Sequence, residues 1–323
     1  MKKLLHLLIK EMRLMKRIEL RIMGGFGNQL YQYSAAKYIE KKYGAEEVVL
    51  DSGEYATYKI RNLEIDQLLH NDIVSVEEIK SKKNFFFREG YHVYQKLFRI
   101  ISKKRPHQIV LRWFKEKYLC AYISCDLTRD LKAAILHMYG YFVSADIALS
   151  VKNELMQELW LDANQAGDKY LAYSNLTNLN ECIAISIRCA EDYVKNKWPI
   201  CSSDFYCKGL DYIIDKKGMN CPILIFADDI DKVKKENWFS NYDNVTYVEG
   251  LSVCESFELL RSCSHYVCSN SSFSWWGAFL SYSASPIRII PNKVFSGDSN
   301  DIDNLTFYKG LTILDYNTGE LVI

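Results

Sequence analysis

From Glu181 to Pro291 the chain repeats one pattern, a short apolar run followed by a segment with helical spacing. The runs are Glu181-Cys182-Ile183-Ala184-Ile185-Ser186-Ile187-Arg188, Pro222-Ile223-Leu224-Ile225-Phe226, Val245-Thr246-Tyr247-Val248, Ser264-His265-Tyr266-Val267-Cys268-Ser269 and Pro286-Ile287-Arg288-Ile289-Ile290-Pro291. Residues 204–216, 229–238 and 255–262 read as the helices between them. Runs with so little polar alternation suit strands covered on both faces, and their regular exchange with helices implies a parallel, doubly wound sheet that the last run closes. A second unit of this kind opens the chain. Residues 17–22 read as a strand, a helix follows from near Asn28 through Ile39, and residues 47–51 read as the next strand. A chain of 323 residues suits two domains of ordinary size. The expected architecture is therefore α/β, with Rossmann-like domains over 17–165 and 166–323 behind an extension over 1–16. Residues 144–171 carry a helical period and are read as the crossing between the domains.

Two runs interrupt strand-to-helix junctions in a way that ordinary packing does not require. Asn270-Ser271-Ser272-Phe273-Ser274-Trp275-Trp276-Gly277 follows the 264–269 strand, and a buried helix is expected to start at Gly277. Free backbone N–H groups and the positive end of a helix dipole attract an anion there, and the hydroxyls add donors. The plainer alternative is a capped helix with aromatic core residues. Met23-Gly24-Gly25-Phe26-Gly27-Asn28-Gln29-Leu30-Tyr31-Gln32-Tyr33 follows the first strand. Its glycines let the backbone approach a ligand, and Asn28 and Gln29 place amides at the helix mouth. This is not the dinucleotide fingerprint, because the third glycine and its spacing are missing.

Together the two runs closely resemble those of the galactoside α-1,2-fucosyltransferase family (glycosyltransferase family 11-like), from about Met15 to Ser296. The resemblance implies two domains facing across a cleft (GT-B-like), an acceptor-side N-terminal domain and a nucleotide-sugar-binding C-terminal domain. It implies transfer of L-fucose from GDP-β-L-fucose to the 2-hydroxyl of a galactose-terminated glycan, with inversion, and no metal or other cofactor. If the domains oppose their binding edges, Asn28 lies on the order of 10 to 15 Å from Arg188 and Ser271.

The same resemblance marks the residues of the chemistry. Arg188 ends a strand at the carboxyl edge, where a guanidinium can grip a diphosphate with a bidentate fork. The family pattern at this point is His-x-Arg-Arg-Gly-Asp-Tyr. Here Ser186 replaces the histidine, Cys189 the second arginine and Ala190 the glycine, and an extra residue leaves Glu191 and Asp192 as rivals for the carboxylate position. Either could receive the acceptor proton, and Asn28 could orient the acceptor hydroxyl or the reacting sugar. Gly25, Gly27, Asn28, Arg188, Asn270, Ser271, Ser272 and Phe273 are expected to line the donor site. Asp228 and Asp229, in Phe226-Ala227-Asp228-Asp229, are expected near the guanosine, with one of the pair capping the following helix instead. Paired aspartates also hold Mg²⁺ in many sites, but the Asp-x-Asp run Asp301-Ile302-Asp303 lies past the last expected strand and is discounted.

Other classes receive less support. A net charge of +1 offers no global field for nucleic acid. The ten cysteines form no C-x-x-C pair, and most sit in apolar runs, as expected of reduced thiols in a cytoplasmic protein. Residues 80–118 hold twelve Lys and Arg against two Glu, interleaved with Phe85, Phe86, Phe87, Phe98, Trp113 and Phe114. That block reads as solvated faces of helices in an insertion, or as a face toward anionic lipid at the inner side of a membrane or a lipid-linked acceptor. The 1–16 segment is too interrupted by charge to span a bilayer. It is an amphipathic surface helix, or lies before a translation start at Met15. Two further functions compete: a nucleotide-dependent oxidoreductase with Asp51 on a ribose, and a catalytically weakened sugar-nucleotide-binding homologue.

Overall fold

The structure is a computed structural model that describes residues 15–57, 60–79, 109–113, 117–122, 127, 134–178, 181–218, 221–293 and 310–322. Most of the basic block, the segment before Met15 and the Asp301–Asp303 pair lie outside these residues. The chain divides into two compact units, Met1–Glu158 and Leu159–Ile323, where the sequence reading put the boundary after residue 165.

The first unit is built from β1 (Arg17–Arg21), α1 (Phe26–Tyr43), β2 (Glu47–Asp51), β3 (Val74–Glu77), β4 (Ile109–Trp113), β5 (Lys117–Tyr122), β6 (Ile135–Gly140), α2 (Ala145–Ser150) and α3 (Lys152–Glu158). Its sheet runs β3-β2-β1-β6-β5-β4, parallel except for the β4–β5 pair. The register explains why β1 alternates although it is central. Arg17 stands opposite Glu47, Glu19 opposite His137, and Arg21 opposite Asp51. Each pair closes an ion pair or hydrogen-bonded contact, at 2.8, 2.7 and 2.6 Å. Ile18 and Leu20 point the other way and are fully buried. Opposite charges placed directly across a ladder favour one register, since a one-residue slip would bury them.

The second unit contains α4 (Asp168–Asn178), β7 (Ile183–Ile187), α5 (Glu191–Asn196), α6 (Ser203–Lys217), β8 (Ile223–Ala227), α7 (Ile230–Glu236), β9 (Val245–Tyr247), α8 (Val253–Ser262), β10 (His265–Cys268), α9 (Ser272–Phe279), β11 (Arg288–Pro291) and β12 (Leu311–Leu314). All pairs are parallel in the order β12-β11-β10-β7-β8-β9. β7 is buried along its whole length, as its apolar run implies. Two core clusters cover the two faces, one with Phe205, Tyr206 and Leu210 of α6, the other with Leu259 and Leu260 of α8. The fold class is thus α/β with two doubly wound, Rossmann-like units. The sequence reading is corrected at the end of the sheet, because β12 adds an edge beyond the run expected to close it. The helical period of residues 144–171 is realised as α2, α3 and the start of α4.

The last helix is corrected too. It begins at Ser272, not Gly277, because the aromatic run is itself helical: Trp275 stacks on Phe279 one turn later, with centroids 4.7 Å apart. Gly277 therefore falls in the last turn, where α9 crosses α8. A Cβ there would lie 2.4 Å from Leu260 Cδ2 and 2.7 Å from its Cγ. Gly277→Ala should therefore destabilise the protein by about 1–3 kcal/mol, the usual cost of overpacking. A lowered thermal midpoint checks this; an unchanged one would mean that the two helices part easily.

Candidate functional site

In an open doubly wound sheet, adjacent strands whose connections leave in opposite directions open a crevice at their carboxyl ends. In the second unit that switch point lies between β7 and β10, the strands that end in Arg188 and in Asn270-Ser271. The chain's arginine and its Asn-Ser-Ser run are thus delivered to one place by topology alone.

The Arg188 guanidinium is held on both arms. One nitrogen donates to Asp228 and the other to Asp192. Its plane sits 4.7 Å from the centre of the Tyr193 ring. Asp228 also accepts from the backbone N–H of Cys189 (2.8 Å) and of Ala190 (3.2 Å), so it fastens the turn that carries the arginine. Asp229 accepts from the Lys232 N–H at 3.1 Å and caps α7. The two aspartates therefore divide their work, as expected, but Asp228 is committed to Arg188 and its turn. Of the rival carboxylates, Asp192 reaches Arg188. The Glu191 side chain is 85 % exposed and pairs with Lys195 at 2.9 Å.

The departures from the family pattern have a structural reading. Ser186 is buried, and its hydroxyl lies 2.6 Å from that of Ser274 in α9, which in turn lies 3.0 Å from Ser269. These three hydroxyls tie the ends of β7 and β10 to the first turn of α9. Cys189 is buried, and burial together with Asp228 pushes its thiol up to about 12, so it adds no charge to the site. A cation nonetheless stands nearby: Lys232 Nζ is 3.5 Å from the Cys189 carbonyl, and Lys232 forms no ion pair among the described residues. Nothing in the sequence singled out this lysine among its neighbours on α7.

At α9 the cap residue Ser271 makes no side-chain capping bond, and the first turn has no acid. The hydroxyls of Ser271 and Ser272 make no hydrogen bond among the described residues, and Phe273 packs at 5.8 Å against Phe257. This geometry disfavours the plain reading of a self-capped helix and leaves the N-terminus open to an anion. Asn270 is used differently. Its amide donates to the Pro199 carbonyl at 2.8 Å, and its own carbonyl accepts from Tyr193 Oη at 3.1 Å. Burial pushes the Tyr193 hydroxyl up to about 12 against the opposing pull of Arg188, so it remains a donor. Trp198 packs edge-on against the same Tyr193 ring, with centroids 5.0 Å apart.

In the first unit the glycine turn follows β1, which lies between β2 and β6. Gly24 has φ of 79°, and a Cβ there would come within 3.0 Å of Asn28 Nδ2 and 3.2 Å of Tyr141, a residue the sequence reading missed. Gly25 is the cap of α1 and makes no side-chain bond, while Gly27 is buried in its first turn. Gln29 is a buried staple. Its amide donates to Gly24, Tyr55 and Asn62, and its oxygen accepts from the N–H groups of Glu64 and Ile65. The half-buried Asn28 carboxamide has no hydrogen-bond partner among the described residues. Asp51, the acid that an oxidoreductase would place on a ribose, is buried and taken by Arg21 at 2.6 Å and by the N–H groups of Gly53 and Ile79.

Two Rossmann-like units along one chain define an α/β protein, and its candidate site, an arginine beside an uncapped helix, lies at the carboxyl edge of the second sheet. The family model "Glycosyl transferase family 11" matches residues 18–301, and the chain belongs to that family. It is a glycosyltransferase, which removes the oxidoreductase alternative. The chain is 24 % identical over 303 residues to an O-antigen biosynthesis glycosyltransferase, WbnK, of Escherichia coli, covering 86 % of this chain and 95 % of the relative. It is 26 % identical over 290 residues to an Escherichia coli alpha-1,2-colitosyltransferase, covering 85 % and 91 %. Among solved structures it is similar to the fucosyltransferase NodZ from Bradyrhizobium, with 12 % identity, coverage of 82 % and 93 %, and a TM-score of 0.49. Among the described residues no helix is long and apolar enough to cross a membrane.

Proposed function

We propose that the protein transfers L-fucose from GDP-β-L-fucose to the 2-hydroxyl of a galactoside in a glycan, forming an α-1,2 linkage by inversion and without a metal ion. The observation that carries this reading is the second switch point, where Arg188 and the uncapped α9 N-terminus stand ready for a diphosphate. Family membership and the relative named for α-1,2 transfer support the linkage. The relative named for O-antigen biosynthesis supports a glycan acceptor.

In this reading the acceptor oxygen attacks C1 of the fucose and the C1–O bond to the β-phosphate breaks. The electron pair leaves with GDP, and the hydroxyl proton passes to a carboxylate. Arg188, Ser271, Ser272 and the N–H groups at Phe273 balance the charge on the departing diphosphate. The arriving diphosphate exchanges with Asp192 rather than Asp228, because Asp192 is the more exposed partner (43 % against 20 %) and Asp228 is also held by the 189–190 backbone N–H groups. Asp192, released from Arg188, is then the base, and Glu191 stays with Lys195. The Asn28 carboxamide of the first unit is assigned a hydrogen bond to a sugar hydroxyl.

Incubation with GDP-fucose and a β-galactoside should yield the α-1,2-fucosylated product at an equal rate with and without EDTA. Loss of transfer on chelation, restored by Mn²⁺ or Mg²⁺, would overturn the metal-free assignment. Absence of transfer with bound donor would instead favour the weakened homologue, a reading that the neutral Cys189 and buried Ser186 keep in play.

A further inference from the structure

Trp198 has no part in the reaction proposed above, yet it and its neighbour Pro199 are tied to residues of the site. Its backbone N–H donates to the Tyr193 carbonyl at 3.0 Å. Its ring packs perpendicular to that of Tyr193, whose ring also lies against the Arg188 guanidinium. The next residue, Pro199, receives the Asn270 amide at 2.8 Å. Trp198 and Pro199 thus link the segment after β7 to the end of β10. The Trp198 indole lies no more than about 10 Å from the guanidinium, since both distances are measured to one ring centre. Held this firmly, it is still 37 % exposed.

A partly exposed indole with a fixed plane suits a ligand that has an apolar face and a polar rim. The sugar of the donor is such a group. The C–H face of a 6-deoxyhexose and its methyl lie against an aromatic ring, while the hydroxyls remain in water. The spacing fits as well, because this sugar is joined directly to the phosphate that Arg188 is proposed to hold.

We infer that Trp198 is the platform on which the donor's deoxyhexose stacks, and that it sets how much tighter the protein binds the nucleotide sugar than the bare nucleotide. The inference rests on the proposed GDP-fucose reading. A nucleobase could also stack on an indole, and the test separates the two. Affinities for GDP and for GDP-fucose are measured by calorimetry for the unsubstituted protein and for Trp198→Ala, Trp198→Leu and Trp198→Phe. The platform predicts that Ala and Leu weaken GDP-fucose about tenfold while GDP changes less than twofold, and that Phe recovers most of the loss. Leu keeps apolar bulk beside Tyr193 but has no flat face, so a packing role would make Leu and Phe alike. Equal losses for GDP and GDP-fucose would assign the ring to the base and overturn the inference, as would no loss in any variant. If the unsubstituted protein binds GDP but gains nothing from the fucose, the fucosyl reading falls and this inference with it.

Discussion

Arg188→Ala should lower the transfer rate by about three orders of magnitude while leaving the thermal midpoint nearly unchanged. Removing one well-placed donor to a developing oxyanion costs about 10²–10³-fold in other enzymes, and Arg188 also brings a full charge on a two-pronged fork. The fold should tolerate the loss. The guanidinium is at the solvent edge of the sheet, and its partners Asp192 and Asp228 keep solvent or backbone N–H contacts without it. Arg188→Lys should recover only part of the rate, because a point charge cannot span two phosphate oxygens as a planar fork does. A normal rate in the alanine variant would remove Arg188 from the mechanism. Unfolding of that variant would show instead that the carboxylates need the cation to coexist.

Asp228→Asn should lower activity by about 10- to 100-fold, and Asp228→Ala more, with the larger loss of stability in the alanine variant. Asn keeps an oxygen for the Cys189 N–H, but an NH2 donor replaces the oxygen that accepts from Ala190 N–H and Arg188. Ala leaves both N–H groups without their acceptor, at about 1–3 kcal/mol for a buried group. Since Asp228 acts through Arg188, the double variant with Arg188→Ala should be little worse than Arg188→Ala alone. Additive losses in that cycle would give Asp228 a role of its own, such as the guanosine contact that the sequence suggested.

Much of this arrangement can be read from local chemistry. Apolar runs such as Ile183–Ile187 are buried because they contain nothing that needs water, and their alternation with helical segments leaves a parallel sheet as the consistent solution. Strand ends carry Arg188 and Asn270 to one edge because right-handed crossovers put every carboxyl end on the same side. The type of residue at each junction was therefore visible in the chain, as was a helix cap within the Asp228-Asp229 pair.

Tertiary structure decided what each of these residues is for. Local sequence could not choose between Glu191 and Asp192, which differ by one residue; helix phase did, turning Asp192 to Arg188 and Glu191 to Lys195. Gln29 and Asn28 carry the same amide, but the approach of residues 55 and 62–65 consumes one and leaves the other free. The start of α9 was misplaced because Trp275, Trp276 and Gly277 have no strong intrinsic preference for a helix. Packing of those indoles against their own turn, and of Gly277 against Leu260, makes them helical. Lys232 and Trp198 gave no signal at all in the chain, since proximity to Arg188 comes from how α7 and the segment after α5 fold back. Patterning specifies where a chain turns and what it buries; contacts between residues far apart in sequence set which side chains are spent on structure and which remain for a ligand.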